Sequence, residues 1–244
     1  MISLIIFLIT FLITLLPICL WIIFIRWEDK SEPEPWKLIR RCFLLGIGSL
    51  FISSVFHFLF GVVFNLPFDL MGPISLSLII VLISAGPIEE FIKYIFLRYS
   101  VYFKSEFNQV FDGVVYGIII ALGFSLFENI FYIFVINHDM ESNLQFITAI
   151  SYRAVYTTLL HILSTGIIGF YLGKAKFSSY NRNFTIAKGL IIGILLHSLF
   201  NVLTLLGMVG QILSIIMLIL TLTFFVRQWS KMDSRMVWRY VSSK

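Results

Sequence analysis

Long apolar stretches alternate with short polar segments along the whole chain. The apolar stretches occupy residues 2–25, 42–64, 73–97, 113–136, 153–173, 188–206 and 208–226. An α-helix needs about 20 apolar residues to cross the hydrocarbon core of a bilayer, and each stretch reaches roughly that length. The pattern therefore predicts an all-α fold, a polytopic transmembrane helical bundle of about seven spans. We expect residues 1–244 to form a single integral membrane domain.

Basic residues fall in alternate connecting segments. Of the 18 Lys and Arg residues, 16 lie in loops 26–41, 98–112 and 174–188 and in the tail 227–244. Because cytoplasmic loops are enriched in Lys and Arg, the N-terminus is predicted outside and the C-terminus in the cytoplasm. The segment 227–244 is then a basic cytoplasmic tail. The net charge of +5 reflects this topology, and we expect no nucleic acid partner.

The composition agrees with a membrane protein. Hydrophobic residues make up 59% of the chain and charged residues 13%, and the mean hydropathy is +0.96. Soluble domains average about 45–50% apolar and about 25% charged residues, so one soluble core cannot bury this much apolar surface. The two cysteines, Cys19 and Cys42, lie in apolar stretches without zinc-finger spacing, and the chain has no HExxH motif or Gly-rich phosphate loop.

Ionisable side chains nevertheless occur inside the predicted spans. Each costs roughly 2.5–3.5 kcal/mol at the centre of a membrane helix, so such residues usually have a function. They are Glu89, Glu90 and Lys93 in the third span, Glu128 in the fourth, His161 in the fifth and His197 in the sixth, with His57 in the second as a weaker case.

Spacing along the third span brings its charged residues together. Lys93 follows Glu89 by four residues and Glu90 by three, and both spacings place side chains side by side on a helix. Pro87 removes one backbone hydrogen bond and frees the carbonyl of Ile83. Within a membrane, irregular backbone is tolerated where it lines a cavity. The third span therefore predicts a polar cavity around the two carboxylates.

Two further pairs have helical spacing. Tyr132 follows Glu128 by four residues, so its phenol can hydrogen-bond that carboxylate, and Asn201 follows His197 by four. Asp112 is a good candidate N-cap for the fourth span. Carboxylates and imidazoles together suit general acid–base chemistry on a water molecule. Glu and His are also zinc ligands, and the residues alone leave that alternative open.

Taken in order, these motifs resemble the PrsW-type intramembrane proteases, and more distantly the prenyl-protein (CAAX) endopeptidases and a scaffold subunit of γ-secretase. The motifs are Glu89-Glu90-x-x-Lys93, Asp112-Gly-x-x-Tyr-Gly117, Gly123-Phe-x-x-x-Glu128-Asn129, His161 in a span that begins near Arg153, and His197-x-x-x-Asn201. They cover about residues 85–205, which we expect to form a four-span catalytic core. The resemblance implies a multi-pass protein of the bacterial plasma membrane.

The resemblance also implies a glutamate-dependent endopeptidase. Its substrates would be membrane-anchored proteins such as single-span anti-sigma factors, cut by a glutamate-activated water. Catalytic roles would fall to Glu89, Glu90, Glu128, His161, His197 and Asn201, with Lys93, Tyr132 and Arg153 in support. Glu89 or Glu90 would be the general base, and the two histidines and Asn201 would polarise the scissile carbonyl. No cofactor is predicted; a metal ion is not assigned, although the residues do not exclude one.

Two other function classes compete with the protease. A non-catalytic scaffold or chaperone of the same fold would need few of these polar residues intact, and their presence argues against it. An ion-coupled transporter often has two related halves with matching helix breaks, and this sequence has one break, at Gly86-Pro87. One difficulty concerns Glu128, because a rise of about 1.5 Å per residue puts it at a different depth from Glu89 and Glu90.

Overall fold

The computed structural model describes residues 4–29, 32–64, 76–136, 142–177 and 181–242, and almost all of them are helical. Seven helices follow one another in these ranges. They are α1 (Leu4–Glu28), α2 (Trp36–Val63), α3 (Leu76–Val101), α4 (Val110–Ile136), α5 (Asn143–Phe177), α6 (Arg182–Thr204) and α7 (Gly207–Ser242). The prediction of an all-α membrane bundle of about seven spans is confirmed. The loop predicted at 65–72 lies outside the described residues.

Two helix boundaries differ from the sequence-based expectation. α5 begins ten residues before the predicted span, because the Ser142 side chain accepts a hydrogen bond from the backbone of Gln145 and caps the helix. α7 does not end with its apolar stretch but continues as a helix through the basic segment to Ser242. A tight turn at residues 205–206 joins α6 to α7, and Gly207, the first residue of α7, has a φ of 60°.

Six of the described helices are long and apolar enough to cross a membrane. The helix outside this set is α3, whose central stretch carries Glu89, Glu90 and Lys93. Neighbouring helices surround it, since α3 packs against α2, α4, α5 and α6. The helix that carries three charged residues in its apolar stretch is therefore the one whose polar residues are enclosed by protein.

α4 and α5 form the centre of the bundle and cross at very short distance. A Cβ atom added to Gly169 would lie 1.9 Å from the carbonyl oxygen of Gly113, and one added to Gly117 would lie 2.8 Å from that of Thr165. Gly123 meets α2 equally closely, with a Cβ 2.1 Å from the carbonyl oxygen of Phe43. Small residues at such crossings let membrane helices approach backbone to backbone. This approach brings the polar side chains of α4 and α5 within reach of each other.

α5 is interrupted by a short π-helical turn. The turn covers Arg153–Thr157, between an α-helical segment that ends at Tyr152 and one that begins at Thr158. π turns carry an extra residue and often occur at functional sites. Here the turn begins at Arg153, one of the predicted supporting residues.

Residues 32–35 and the loop 102–109 meet at the end of the bundle that carries most of the Lys and Arg residues, which we call the basic end. The backbone N–H of Glu34 donates to Asp29 (2.8 Å), and the Tyr116 hydroxyl donates to the Glu34 carboxylate. Burial raises the pKa of the Glu34 carboxyl to about 8.

Asp112 is not the N-cap of α4 but lies in its first turn. There its carboxylate accepts the backbone N–H groups of Asn108 and Gln109, an arrangement that also caps the helix.

Candidate active site

Polar side chains from α3, α4, α5 and α6 meet in one buried cluster inside the bundle. The structure brings together the predicted residues Glu89, Glu90, Lys93, Glu128, Arg153, His161 and His197. Glu90, Lys93 and His161 are fully buried, and Glu89 and His197 nearly so. Groups of this kind in lipid would be costly, so the bundle supplies them with partners from four helices.

Lys93 lies at the centre of the cluster. Its ammonium is 2.9 Å from Glu90 Oε1, 3.4 Å from Glu89 Oε2 and 2.8 Å from His161 Nδ1. It also lies 3.7 Å from the centre of the Phe124 ring, a cation–π contact. Lys93 does not extend to the membrane surface; it is a fully enclosed counter-ion to two carboxylates.

The contacts of His161 with Lys93 and Glu128 determine which ring nitrogen carries the proton. A lysine ammonium has only donors, so Nδ1 of His161 accepts from Lys93. The neutral imidazole then carries its proton on Nε2, which donates to Glu128 Oε2 at 2.9 Å. His161 thereby joins the carboxylates of α3 to the carboxylate of α4. This chain of contacts answers the difficulty over depth, because side chains connect Glu128 to Lys93.

Glu90 and His197 form a second fixed pair. Glu90 Oε1 lies 2.9 Å from His197 Nδ1, and Glu90 Oε2 accepts from the Thr165 hydroxyl at 2.8 Å. Both Glu90 oxygens are therefore engaged. Nε2 of His197 points away from Glu90 and lies 3.8 Å from Glu89 Oε2. Asn201 follows His197 by one turn of α6 and is half-buried.

At the far side of the cluster, Arg153 balances Glu128. Arg153 Nη2 lies 3.2 Å from Glu128 Oε1, and the guanidinium carbon lies 3.4 Å from the centre of the Tyr132 ring. The expected hydrogen bond from Tyr132 to Glu128 is not present among the described residues. Tyr132 instead supports Arg153 through its ring face, because the guanidinium is the stronger partner for that carboxylate.

The carbonyl freed by Pro87 in α3 is satisfied by the helix that carries His197. Ser198 donates its hydroxyl to the carbonyl of Ile83 at 3.0 Å, which is the carbonyl that Pro87 leaves free. Gly86 makes room for this contact, since a Cβ there would lie 2.2 Å from Ser198 Oγ. The α3 helix continues through Pro87, and this contact anchors α6 to α3 next to the cluster.

Three neighbours were not assigned to the site from the sequence. His57 Nε2 lies 3.5 Å from Glu89 Oε1, Thr165 donates to Glu90, and the Phe124 ring lies under Lys93. Only His57 had a signal, as a histidine within an apolar stretch. Phe124 belongs to the Gly123-Phe-x-x-x-Glu128-Asn129 motif but had no assigned role. Thr is an ordinary residue of membrane helices, so nothing in the sequence marks Thr165.

The cluster also contains a donor set that fits a divalent metal ion. One ligand atom each from Glu89, His161 and His197 lies within 4.8 Å of the other two. A carboxylate and two imidazoles with an open position form a catalytic zinc site in other enzymes. With neutral histidines, the cluster has one negative charge in excess. Its carboxylates are Glu89, Glu90 and Glu128, and its cations are Lys93 and Arg153. The Lys93 ammonium already contacts Glu89 and His161, so it and a metal ion would compete for the same atoms.

Comparisons with known proteins find relatives of this chain among the intramembrane proteases. Residues 34–227 match the model of the PrsW family intramembrane metalloproteases. Protease PrsW of Bacillus subtilis (strain 168) is 33% identical over 175 residues, which are 71% of this chain and 72% of the relative. Protease PrsW of Geobacillus kaustophilus (strain HTA426) is 29% identical over 174 residues, 71% and 70% of the two chains. That of Clostridioides difficile (strain 630) is 28% identical over 193 residues, 78% and 77%. No solved structure matches the chain.

Proposed function

The chain belongs to the PrsW family of intramembrane proteases, and we propose that it hydrolyses peptide bonds of membrane-anchored proteins with a water molecule activated by glutamate. It is a multi-pass membrane protein of a bacterial-type family. The observation that carries the proposal is the buried meeting of Glu89, Glu90, Glu128, His161 and His197 around Lys93. Carboxylates and imidazoles in a water-poor site are the groups that general acid–base catalysis requires.

Glu89 is the better candidate for the general base. Both oxygens of Glu90 are held by Lys93, His197 and Thr165 at 2.8–2.9 Å. The contacts of Glu89 are longer, 3.4 Å to Lys93 and 3.5 Å to His57. A carboxylate with free lone pairs can take a proton from water, whereas a saturated one serves to orient its neighbours. We therefore assign the base to Glu89 and the positioning of His197 to Glu90.

The reaction follows from these assignments. Glu89 takes a proton from water, and the water oxygen bonds to the carbonyl carbon of the scissile peptide. The Nδ1 of His197 is held by Glu90, and a proton on its Nε2 would be donated to the oxygen of the tetrahedral intermediate. Glu89 returns its proton to the leaving nitrogen, the C–N bond breaks, and an acid and an amine are released. Asn201, one turn after His197 on α6, would assist at the same oxygen.

A metal ion is an alternative to this scheme, because it would take the Glu89 carboxylate that the scheme uses as the base. A zinc ion held by Glu89, His161 and His197 would supply Lewis-acid polarisation of the carbonyl oxygen. The test is the metal content of the purified protein together with activity in 1,10-phenanthroline, with the non-chelating 1,7-isomer as control. Stoichiometric zinc and loss of activity with the 1,10-isomer alone would establish a metal site. Full activity in a metal-free preparation would show that the carboxylates activate water without a metal ion.

We further propose single-span membrane proteins, such as anti-sigma factors, as substrates, with the N-terminus outside and the basic end in the cytoplasm. The substrate class follows from the family resemblance, and the orientation follows from the positive-inside pattern of the loops. The enclosed position of the cluster supports a substrate that reaches it from within or beside the bilayer. Reporter fusions at the two termini test the orientation.

The decisive experiment is cleavage of a co-expressed panel of tagged single-span membrane proteins that includes anti-sigma factors. It compares wild type with Glu89→Gln, Glu90→Gln and His197→Ala at matched membrane levels. Glu106→Gln is the control, since Glu106 is an exposed loop carboxylate. We expect a product with wild type and the control and none with the three site variants. Cleavage that persists in the three variants would remove the assignment, and a panel left intact by wild type would favour a scaffold.

A further inference from the structure

A groove on the opposite side of α5 from the catalytic cluster lies between α5, α6 and α7 in the basic half of the bundle. It has a volume of about 540 Å³, and apolar side chains form most of its wall, among them Ile167, Phe170, Ile192, Leu196 and Phe224. Its floor is Val114 of α4, which is completely buried, so the groove reaches the centre of the bundle. None of these residues belongs to the proposed catalytic machinery.

The groove is charged only at its basic end, and Thr221 of α7 adds one hydroxyl to the wall. Lys174, in the last turns of α5, lines it there, and Tyr171 lies one turn before. Lys174 and Lys188 of α6 each place their ammonium 5.8 Å from the centre of the Tyr171 ring. Two cations from different helices therefore lie near the Tyr171 ring, and that ring and Lys174 line the basic end of the groove.

Neither ammonium is neutralised by the protein. Within the part of the chain that the structure describes, Lys174 and Lys188 form no ion pair with a carboxylate. Both lysines are exposed, and the Tyr171 ring between them is half-buried. An anion that binds here would meet two positive charges and a phenol.

The groove is long enough to hold part of an acyl chain. Between Ile167 and Lys174 it extends roughly 10 Å along α5. A hydrocarbon chain is narrow enough to enter, and the polar end then lies where the headgroup of such a lipid would lie.

We propose that this groove binds one anionic phospholipid, with its acyl chain between α5, α6 and α7 and its phosphate between Lys174 and Lys188. The groove is charged at the basic end and apolar towards the middle of the bundle, as a lipid in the leaflet at the basic end would require. That leaflet is the cytoplasmic one if the positive-inside pattern holds, and it is the leaflet rich in anionic lipids. A lysine near such a surface favours anionic lipid by about 1 kcal/mol, so two lysines give a preference of roughly 10- to 30-fold.

Native mass spectrometry of the full-length protein tests the headgroup. The protein is titrated in detergent with dipalmitoyl phosphatidylglycerol or with phosphatidylcholine of the same chains. We expect wild type to retain one phosphatidylglycerol in preference to phosphatidylcholine, and Lys174→Gln/Lys188→Gln to lose that preference by roughly 10- to 30-fold. Lys37→Gln/Lys104→Gln removes two exposed lysines elsewhere at the basic end and should bind as wild type does. Equal retention of both lipids by wild type, or an unchanged preference in the double variant, would overturn the proposal.

A second variant tests the position of the acyl chain. Ile192→Trp keeps both lysines and fills the groove, so it should release both lipids while its unfolding temperature stays near that of wild type. Retention of phosphatidylglycerol by this variant would show that the chain does not lie in the groove. Because the measurement is binding and not proteolysis, its outcome is independent of the proposed catalytic function.

Discussion

Lys93 offers the most direct test of how the cluster is held together. Its ammonium is fully buried and lies within 3.4 Å of two carboxylates. Lys93→Met keeps most of the side-chain volume and removes the charge. Glu89 and Glu90 are then left buried side by side without their shared counter-ion. Breaking a buried ion pair by removing one partner costs about 3–5 kcal/mol.

That free energy predicts a large shift in thermal stability. For a protein of this size each kcal/mol lowers Tm by roughly 2–4 °C, so we expect Lys93→Met to lower it by roughly 6–20 °C. The assay is thermal unfolding of the purified protein in one detergent, followed by circular dichroism. Lys104→Met is the matched control, since Lys104 is exposed, and it should change Tm by no more than a few degrees.

A double-mutant cycle separates the charge from the packing. Glu90→Gln removes one of the two carboxylates that Lys93 compensates, so Lys93→Met/Glu90→Gln should be less destabilised than the sum of the single variants. Contacting residues of this kind have interaction free energies of about 0.5–3 kcal/mol. A strictly additive double variant, or a loss of less than about 1 kcal/mol in Lys93→Met, would show that the ion pairs do not hold the cluster.

Three further predictions concern the contact of Ser198 with Ile83, the Glu34 carboxyl at the basic end, and the crossing of α4 and α5. Ser198→Ala leaves the carbonyl of Ile83 without a partner and should cost about 1–3 kcal/mol in the free energy of unfolding; denaturant unfolding that matches wild type would contradict this contact. Burial raises the pKa of Glu34 from 4.5 to about 8, so the folded state holds a proton that the unfolded state releases. Stability should therefore fall as pH rises from about 5 to 8, and Glu34→Gln should flatten that part of the profile; an unchanged profile would contradict the assignment. Gly169→Ala puts a Cβ 1.9 Å from a backbone oxygen and should lower Tm strongly, whereas Gly48→Ala, whose nearest contact is 3.7 Å, should not; equal Tm values would argue against close packing.

The local parts of the fold and site were predictable because they depend on sequence spacing. The apolar stretches gave the number of helices, and the spacing of three and four residues put Lys93 beside Glu90 and Glu89. Pro87 predicted a free carbonyl at Ile83 correctly. Each of these inferences needs only the period of one helix.

Contacts between helices were not predictable from one sequence. Counting the rise along straight helices put Glu128 at a different depth from Glu89, because that count omits the reach of side chains. Lys93 and His161 bridge the difference. The partner proposed for Tyr132 was wrong for the same reason, since Arg153 comes from another helix and outcompetes a phenol for the carboxylate. Thr165 donates to Glu90, and no feature of the sequence predicted that contact.

The π turn at Arg153–Thr157 makes α5 sensitive to insertions and deletions in a way that hydropathy does not reveal. Successive residues of a helix are about 100° apart, so the extra residue of the turn sets the phase between the segments on either side of it. Losing one residue here would leave a membrane-spanning helix of nearly the same length and composition. It would also rotate Asn143–Tyr152 relative to His161 and move Arg153 away from Glu128. A one-residue gap in this turn, in an alignment of relatives, therefore marks a change in the counter-ion of Glu128 and not a neutral difference in length.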